Sequence, residues 1–538
     1  MIALMPLTFR NAFVAFLSFV TVLTLTPAPL AAQTQSTAFR QAVATAAARD
    51  AEIAAFYKAN GYDSIWTGNG RDRKRRAALI GALSEAGNHG LPSGRYDLAG
   101  LEARMRNARS AADLGALEVD LSRTFLQYAR DVQTGVLVPS RVDKAIKRQV
   151  PYRDRGSYLV NFVKSSPDGF MKALPPASRE YNALMKEKLR LERLLARGGW
   201  GETVHTKTLK PGASGTNVVE LRNRLHRMGH MKRSAGQTYD EDMVKAVLAF
   251  QRAHGLAEDG VVGPGTMAEI NTSVAERLQS VVVAMERERW TNMERGKRHI
   301  EVNLADFTAK IFDNGKETFS TRSVIGHRAS DRQSPEFSDV MEFMVINPSW
   351  YVPRSIVTKE YLPELQKDAY AVNHIEITDR QGRRIDRSAV DFSQFDARSF
   401  PFAMRQPPSR GNALGLVKFM FPNRHNIYLH DTPAKNLFGR EVRAYSHGCI
   451  RLADPFDFAY ALLAKQTGDP QGFFQAKLAT GTEQTVYLKE PVPVHIIYRT
   501  AFADGRGEVQ FRRDIYGRDG RIWSALSQAG VALRAVQG

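Results

Sequence analysis

The 538-residue chain has one cysteine, Cys449, in the stretch SHGCIRL at residues 446–452. A lone thiol cannot pair within its own chain, so it is a reactive group, a link to another chain or an inert buried side chain. A reactive thiol needs a base or cation nearby, because an unperturbed cysteine has a pKa of about 8.5. His447 and His430 are the candidates in sequence. These residue types indicate acyl transfer by a cysteine nucleophile.

The residues around this thiol predict how it is held. His430 ends the apolar stretch NIYLH, and the end of a strand can hold a base rigidly beside a loop. Gly448 lets the backbone approach closely, and the amides around it could donate to an oxyanion. Two simpler interpretations stay open here: His430 is an ordinary histidine at a strand end, and His447 only supports the loop.

The N-terminal residues 1–32 have the three parts of an export signal. Arg10 precedes an apolar segment at residues 12–25, and Ala31 and Ala32 offer a cleavage site. The apolar segment is shorter than the about 20 residues that a membrane span needs. Leu30 is not the small residue that cleavage prefers, so an uncleaved membrane anchor is the alternative. We therefore expect the protein in the periplasm.

Composition excludes few classes of protein. A hydrophobic content of 43% and 24% charged residues are ordinary for a globular chain. The formal net charge of +19 suits an anionic partner, but export argues against nucleic acid. An anionic wall polymer or lipid fits better, and a well-solvated basic surface is the plain alternative. The length predicts three or four domains.

Periodicity divides the chain into segments. Apolar residues at three- and four-residue spacing predict a helical scaffold domain at 36–200. Short helices separated by Gly, Pro and Asp predict a small three-helix unit at 206–274. From 298 to 499 the period becomes two, which indicates strands, with a polar, partly helical insertion at 354–411 that could act as a lid. Residues 500–538 are expected to pack on the scaffold. The fold class predicted is α+β, multidomain.

The unit at 206–274 resembles a peptidoglycan-binding domain found on many cell-wall enzymes. The resemblance is carried by PG…V..L…L…G and by AV..FQ…GL..DG.VG..T, which includes Phe250, Gln251, Gly260 and Thr266. It implies that this unit binds the wall. The alternative is that the unit has only a structural role.

The residues around the cysteine resemble the catalytic motif of the L,D-transpeptidase family. NIYLHDTP is followed by REVRAYSHGCIRLADP, with the histidine 19 residues before the cysteine, and segments 324–326, 334–335 and 347–353 fit as well. Together with the other segments, the chain resembles the large multidomain L,D-transpeptidases of Gram-negative bacteria. It departs from many members after the upstream histidine, where Asp431 replaces glycine. The family uses the backbone carbonyl there, so the side chain need not impair catalysis.

The resemblance implies a mechanism. Cys449 attacks the carbonyl at the L-centre of meso-diaminopimelate in a tetrapeptide and forms a thioester, and a second diaminopimelate amine resolves it into a 3→3 cross-link. His430 serves as the base. The remaining site residues implied are support for the oxyanion and the loop from Gly448, His447, Ser446 and Tyr428, and substrate binding by Arg451, Trp350 and Asn347. For Arg451 a structural ion pair is the alternative.

The resemblance also bears on ligands, partners and alternatives. The chemistry needs no metal and no organic cofactor. Peptidoglycan is the expected partner, carbapenem-type β-lactams are expected inhibitors, and other wall-synthesis proteins are further candidates in a role in wall biogenesis and cell shape. One alternative function is hydrolysis at the same centre, as an L,D-carboxypeptidase or a cross-link hydrolase. Another is attachment of wall proteins or D-amino acids. A third is a non-catalytic wall-binding structural protein.

Overall fold

The computed structural model describes residues 30–535. Almost all of the predicted export signal lies outside the described residues, so cleavage and anchoring stay predictions. Within the described part, no helix combines the length and apolar character that crossing a bilayer requires.

The N-terminal part is helical. Its long helix α5 begins at a capping box in which Ser110 and Asp113 bond each other's backbone N–H. Trp66, Phe125 and Phe162 pack against one another in the core that α5 covers. The helices are α1 Leu30–Ala47, α2 Ala51–Ala59, α3 Arg71–Ser84, α4 Leu98–Asn107, α5 Ala111–Thr134, α6 Pro139–Val142, α7 Arg155–Lys164, α8 Pro167–Lys172 and α9 Arg179–Ala196.

A small unit follows, with helices α10 Thr216–Met228, α11 Glu241–Ala253 and α12 Pro264–Asn271. Its core contains Leu221, Leu225, Val247 and Phe250. Gly229 ends α10 in the left-handed conformation, with φ of 88°, where a side chain would be strained.

Helix α13, Val274–Trp290, joins this unit to the strand domain. It is buried along its whole second half, residues 281–290, including four consecutive charged residues. Each of the four has a charged partner: Arg289 pairs with Glu286 within the helix, Arg287 reaches Glu336 and Asp519, and Arg499 reaches Glu288. The helix is therefore tied by ion pairs to the strand domain and to the C-terminal segment.

The strand domain contains a nine-stranded sheet in the order β10-β3-β11-β9-β8-β4-β12-β1-β2, and β2 also pairs with β3, so the two ends meet. The strands of this sheet are β1 Arg298–Asn303, β2 Thr308–Asp313, β3 Lys316–Gly326, β4 Phe337–Ile346, β8 Val417–Met420, β9 Leu429–His430, β10 Ala444–Ser446, β11 Ile450–Leu452 and β12 Gln484–Ile497. Helices α16 Pro455–Leu463 and α17 Pro470–Leu478 pack on it.

The insertion is mixed rather than only helical. It contains a three-stranded sheet in the order β5-β7-β6, formed by β5 Trp350–Tyr351, β6 Glu376–Thr378 and β7 Ala403–Gln406. Helices α14 Arg354–Ile356 and α15 Leu362–Lys367 flank a π-helical turn at Val357–Tyr361. The insertion has its own apolar core, in which Val357, Ile377 and Phe400 are buried.

The C-terminal segment forms the hairpin β13 Ala501–Ala503 and β14 Val509–Phe511, then α18 Arg518–Gln528. The hairpin contacts α9, and α18 contacts α13 and α6. Ile522 and Leu526 of α18 are buried in a core shared with α9 and α13. The mixture of helical and β-rich units confirms the predicted α+β class.

Candidate active site

The parallel pairing of β9 with β11 brings the predicted nucleophile and base together. The register places Ile450 opposite Leu429 and Arg451 opposite His430. Residues two apart on a strand share a face, so Tyr428, two before His430, lies on the face that His430 shares with Arg451. The rings of Tyr428 and His430 meet edge to face at 5.7 Å between centroids. Cys449, two residues before Arg451, interacts electrostatically with both Tyr428 and Arg451.

The Cys449 thiol is partly buried and hydrogen-bonds the Asn426 carbonyl at 3.4 Å. Burial raises its pKa to about 11, although the N–H and hydroxyl of Tyr428 and the charge of Arg451 act in the opposite direction. Within residues 30–535 the thiol makes no hydrogen bond to an imidazole. In this state the Cys449 thiol is protonated and donates to the Asn426 carbonyl rather than to an imidazole.

His430 is fully enclosed at the end of β9. Its Nδ1–H donates to the Asp431 carbonyl, which leaves Nε2 as the basic nitrogen. Burial and the nearby Arg451 charge lower the pKa of His430 to about 3, against the opposing effect of the Asp431 and Leu414 carbonyls. The Asp431 side chain instead bonds the Leu416 N–H at 2.9 Å and Lys435 at 2.7 Å. The carboxylate of Asp431, the residue that departs from the family pattern, thus holds its own backbone carbonyl in place beside His430.

The loop before the nucleophile is held by two serines. The Ser446 hydroxyl donates to the Cys449 carbonyl and accepts from the Gly448 N–H at 3.2 Å. Gly448 has φ of 117°, a conformation that favours glycine, and its carbonyl accepts from the Ser334 hydroxyl at 2.6 Å. The Gly448 amide is therefore occupied. The Cys449 N–H has no partner among residues 30–535.

His447 does not contact the thiol; it connects the loop to the insertion. It is exposed, and its Nε2 lies 2.6 Å from the carboxylate of Glu360 in the π-helical turn. Glu360 also pairs with Arg332 at 2.9 Å, and the neighbouring Lys359 pairs with Asp331 at 3.0 Å. These contacts fasten the insertion beside the nucleophile.

Arg451 carries an unmatched charge in the site. Its Nε is buried without a hydrogen-bond partner, and no carboxylate of the described residues pairs with it. The pKa of Arg451 is lowered by burial. A half-buried guanidinium without a counter-ion is costly unless a ligand supplies the anion.

The other two predicted substrate-binding residues lie elsewhere. Asn347, with φ of 51°, is 4% exposed and donates its side-chain amide to the Leu478 and Thr482 carbonyls at 3.0 and 3.3 Å. It fixes the end of α17 and is not brought to the thiol. Trp350 is buried in the core of the insertion, against which Tyr428 packs. The ring of Trp350 meets that of Tyr361 within the insertion.

Sequence reasoning did not select Ser334 or Glu360 as site residues. Ser334 follows a polar loop, and its role depends on a contact across 114 residues with Gly448. Tyr516, from the C-terminal segment, donates to the Gly326 carbonyl at 2.6 Å and supports the same loop. The signal that could have identified it is the segment 334–335, which the sequence already matches to the family.

Comparison with known proteins identifies three domains along the chain. Residues 297–493 match the family described as "L,D-transpeptidase catalytic domain", residues 214–270 match "Putative peptidoglycan binding domain", and residues 51–187 match "Scaffold domain". The chain thus contains an L,D-transpeptidase catalytic domain, a peptidoglycan-binding domain and a scaffold domain. The resemblance seen in the sequence is confirmed.

Individual relatives match only in part. A protein of Haemophilus influenzae named "Putative L,D-transpeptidase" is 31% identical over 225 residues, 41% of this chain and 45% of that protein. The amidase CwlL of Bacillus licheniformis is 43% identical over 60 residues, 11% of this chain and 17% of that protein. The chain thus spans less than half the length of the curated relatives it matches.

Solved structures of two L,D-transpeptidases also resemble part of the chain. That of Xylanimonas cellulosilytica is 14% identical with a TM-score of 0.17, over 55% of this chain and 100% of that one. That of Stackebrandtia nassauensis is 12% identical with a TM-score of 0.22, over 55% of this chain and 97% of that one. Scores this low have no bearing on function.

Proposed function

We propose that this protein is a cysteine L,D-transpeptidase that forms 3→3 cross-links between meso-diaminopimelate residues of peptidoglycan through a thioester on Cys449. The observation that carries the proposal is the shared sheet face, on which β9 and β11 place a thiol, an imidazole, a phenol and an unpaired guanidinium. The match to the L,D-transpeptidase catalytic domain supports the reaction class.

Acylation begins from two neutral groups. With a thiol pKa of about 11 and an imidazole pKa of about 3, a standing thiolate–imidazolium pair is disfavoured. The proton must therefore pass from Sγ to Nε2 of His430 as sulfur bonds to the substrate carbonyl carbon. The Asn426 carbonyl gives up its bond to the thiol in this step. The imidazolium then protonates the departing D-alanine amine as the C–N bond breaks.

The negative charge on the attacked carbonyl needs donors that are already in place. The Cys449 N–H is unpaired among the described residues, and the Tyr428 hydroxyl lies within hydrogen-bonding range of the sulfur. We assign these two groups to the oxyanion. The Ser446 and Ser334 hydroxyls hold the loop so that the Cys449 amide keeps its direction.

Arg451 supplies the charge that a stem peptide would recognise. The peptide carries free carboxylates, one of them on the side-chain centre of diaminopimelate. A charge-assisted hydrogen bond between a guanidinium and a carboxylate is about twice as strong as one between two neutral groups. We therefore assign Arg451 to a substrate carboxylate.

Deacylation repeats the proton transfers in reverse. The amine of a second diaminopimelate attacks the thioester, His430 takes its proton, and the thiolate leaves and is reprotonated. Water in place of the amine would give hydrolysis. The insertion, held beside the nucleophile through Glu360, is in position to limit that access.

The remaining expectations follow from this function. Peptidoglycan as substrate requires export to the periplasm, which the N-terminal residues 1–32 would direct. Carbapenem-type β-lactams should acylate Cys449, since they present a strained carbonyl to the same thiol. Intact mass after incubation would reveal the adduct, and a folded protein of unchanged mass would count against this expectation.

The deciding experiment incubates the protein with purified tetrapeptide muropeptides beside Cys449→Ala and an Arg197→Gln control, with products identified by mass spectrometry. Dimers that lack one D-alanine and carry 3→3 links should form with the wild type and the control only. Tripeptide monomers alone would replace the proposal with L,D-carboxypeptidase activity. Products that persist in Cys449→Ala would refute the thioester.

A further inference from the structure

The segment at residues 332–336, just before β4, lies where the catalytic domain meets the scaffold and the C-terminal segment. The Glu336 N–H donates to the Ala145 carbonyl at 2.9 Å, and the Glu336 carbonyl accepts from the Lys147 N–H at 2.8 Å. The Glu336 carboxylate, whose side chain is 4% exposed, pairs with Arg518 of α18 at 3.0 Å. Groups from outside the catalytic domain therefore fix one end of this segment.

Ser334, in the middle of the same segment, contacts both the C-terminal segment and the catalytic loop. It is fully buried. Its N–H donates to the Tyr516 hydroxyl at 3.4 Å, and its carbonyl accepts from Arg518 at 2.8 Å. Its hydroxyl donates to the Gly448 carbonyl at 2.6 Å and accepts from the Gly326 N–H at 3.0 Å. Ser334 thus links the C-terminal segment to the residue before the nucleophile.

The Gly448 carbonyl and the Cys449 N–H belong to one peptide group. A peptide group is planar, so the direction of its carbonyl fixes the direction of its N–H. By holding the Gly448 carbonyl, Ser334 orients the amide that we assign to the oxyanion. A preorganised oxyanion donor contributes about 10²–10³-fold to kcat, so its orientation matters to the reaction.

The backbones of this segment and of the end of β3 are in close contact. A Cβ added to Gly326 would lie 2.1 Å from the Arg332 carbonyl oxygen and 2.6 Å from the Ser334 nitrogen. The Tyr516 hydroxyl, which accepts from the Ser334 N–H, donates to the Gly326 carbonyl at 2.6 Å. Because close-packed groups transmit a displacement to their neighbours, a shift of Ser334 would reach the catalytic loop.

Tyr516 is itself held firmly in the C-terminal segment. Its ring stacks on that of Tyr498, with centroids 5.7 Å apart and 15° between planes. The Arg518 guanidinium lies 4.7 Å from the centroid of the Tyr516 ring and 5.2 Å from that of Tyr498. Tyr516 is 5% exposed. A side chain enclosed in this way acts on the site through Ser334 and not by contact with substrate.

We propose that Tyr516 is a positioning residue, which orients the Cys449 N–H toward the oxyanion through Ser334. This inference rests on the proposed function for the role of that N–H. It goes further because Tyr516 lies outside the matched catalytic domain at 297–493. The C-terminal segment thereby becomes part of the active site.

The test compares two reactions of the single cysteine in the full chain. In acylation by p-nitrophenyl acetate, the sulfur bonds to the acetyl carbon, an oxyanion forms, and p-nitrophenolate leaves. In alkylation by iodoacetamide, the sulfur displaces iodide and no oxyanion forms. Subtracting the rate of Cys449→Ala removes acylation at other side chains, and intact mass identifies the adduct.

Three variants are compared with the wild type. Tyr516→Phe removes the hydroxyl and keeps the ring, and Ser334→Ala removes the bond to the Gly448 carbonyl. Tyr239→Phe is the matched control, because the Tyr239 hydroxyl is buried in the peptidoglycan-binding unit and donates to the Gly260 carbonyl at 2.7 Å. Thermal unfolding checks that each variant is folded.

Tyr516→Phe should slow acylation about ten-fold, a part of what one oxyanion donor supplies, and should leave alkylation unchanged. Ser334→Ala should slow acylation at least as much. The double variant should be no slower than Ser334→Ala alone, because both residues act on one peptide group. Tyr239→Phe should change neither rate.

The inference would be overturned by acylation that is equal in Tyr516→Phe and wild type, or by equal loss of acylation and alkylation, which indicates general loosening. Additive losses in the double variant would exclude the route through Ser334. Absence of Cys449-dependent acylation in the wild type would remove the oxyanion role itself. Neither reagent is a wall peptide, so these failures are distinguishable from failure of transpeptidation, which the muropeptide assay measures.

Discussion

Cys449 and His430 are each more stable without charge in this site, because both are enclosed and Arg451 repels a protonated imidazole. Many cysteine nucleophiles are activated by a lowered pKa. Here the pKa of the thiol is raised and the pKa of the imidazole is lowered. Reactivity therefore depends on the arrival of substrate rather than on a thiolate that is already present. A protonated thiol is also less readily oxidised than a thiolate.

This arrangement predicts slow alkylation of Cys449 at neutral pH. The rate with iodoacetamide should rise with pH to an apparent pKa above the usual 8.5 or so of a free thiol. Cys449 is the single cysteine, so loss of thiol reports on it alone. Tyr428→Phe, which removes a hydroxyl that lowers the pKa of the thiol, should move the apparent pKa higher still. An apparent pKa below 8 would contradict the neutral resting pair.

Arg451 gives a second prediction at this scale. Arg451→Gln should lower kcat/KM for tetrapeptide by about 10- to 100-fold, since a charge-assisted hydrogen bond contributes about 1.5–3 kcal/mol. Arg451→Lys keeps the charge without the planar fork and should recover part of the loss. Amidation of the stem-peptide carboxylates should reduce turnover by wild type but not by Arg451→Gln. Equal sensitivity of both would instead favour a structural role for Arg451.

Among the elements, the π-helical turn Val357–Tyr361 is the part of the insertion that contacts the catalytic loop. π-helical turns are uncommon and often occur at functional sites. Glu360 is shared between His447 and Arg332, so one carboxylate connects the insertion to both sides of the nucleophile.

Loss of that carboxylate should loosen the insertion. Glu360→Ala is expected to increase hydrogen–deuterium exchange in residues 354–367 while exchange in α5 stays unchanged. Glu364→Ala, which removes an exposed pair with Lys367 one turn further on, is the matched control and should have no such effect. Unchanged exchange in Glu360→Ala would mean that the apolar core of the insertion alone holds it closed.

Helix α13 is a second element with an unusual composition, because its charged residues are buried. Arg287 bonds Glu336 at 2.7 Å and Asp519 at 2.9 Å, and its side chain is 5% exposed. It thereby joins the strand domain to the C-terminal segment.

Arg287→Met should therefore cost about 3–5 kcal/mol, since buried Asp519 loses its cation and Glu336 keeps only Arg518. Arg252→Ala removes an ion pair whose side chains are 69% and 41% exposed, and should cost under about 1 kcal/mol. Midpoints of urea unfolding measure both. Similar midpoints for the two variants would show that water or rearrangement compensates in α13.

For the molecule as a whole, partly and fully buried histidines lower the stability in acid. Burial lowers the pKa of His89, His230 and His495 to about 4, and that of His430 to about 3. Below pH of about 6.5 the unfolded chain binds protons that the folded chain refuses. Each such histidine therefore removes stability as pH falls from about 6.5 to 4, by at most about 1.4 kcal/mol per pH unit.

The unfolding temperature should accordingly decline between pH 6.5 and 4. His89→Phe keeps the ring packed on Tyr181 and removes one titrating group, so its decline should be shallower. Differential scanning calorimetry across this range measures the slope. An identical slope for wild type and His89→Phe would exclude His89 as a contributor and assign the decline to other groups.

The sequence alone determined features that depend on neighbouring residues. Spacing and turn residues predicted the helical scaffold, the small unit around α10–α12 and the strands from residue 298, since periodicity records which face of a local element is buried. The SHGC stretch and His430 were selected because a lone thiol, a strand-end histidine and the spacing between them form a recognisable motif.

The tertiary structure decided what depends on distant contacts. It places the Asn347 side chain at the end of α17 and bonds the Cys449 thiol to the Asn426 carbonyl. It also pairs His447 with Glu360 and leaves Arg451 without a counter-ion among the described residues. The C-terminal segment comes to support the catalytic loop in the same way. Periodicity shows that a residue is buried, but it does not show which distant residue it packs against. That partner is set by strand register and domain packing, which arise only when the whole chain is folded.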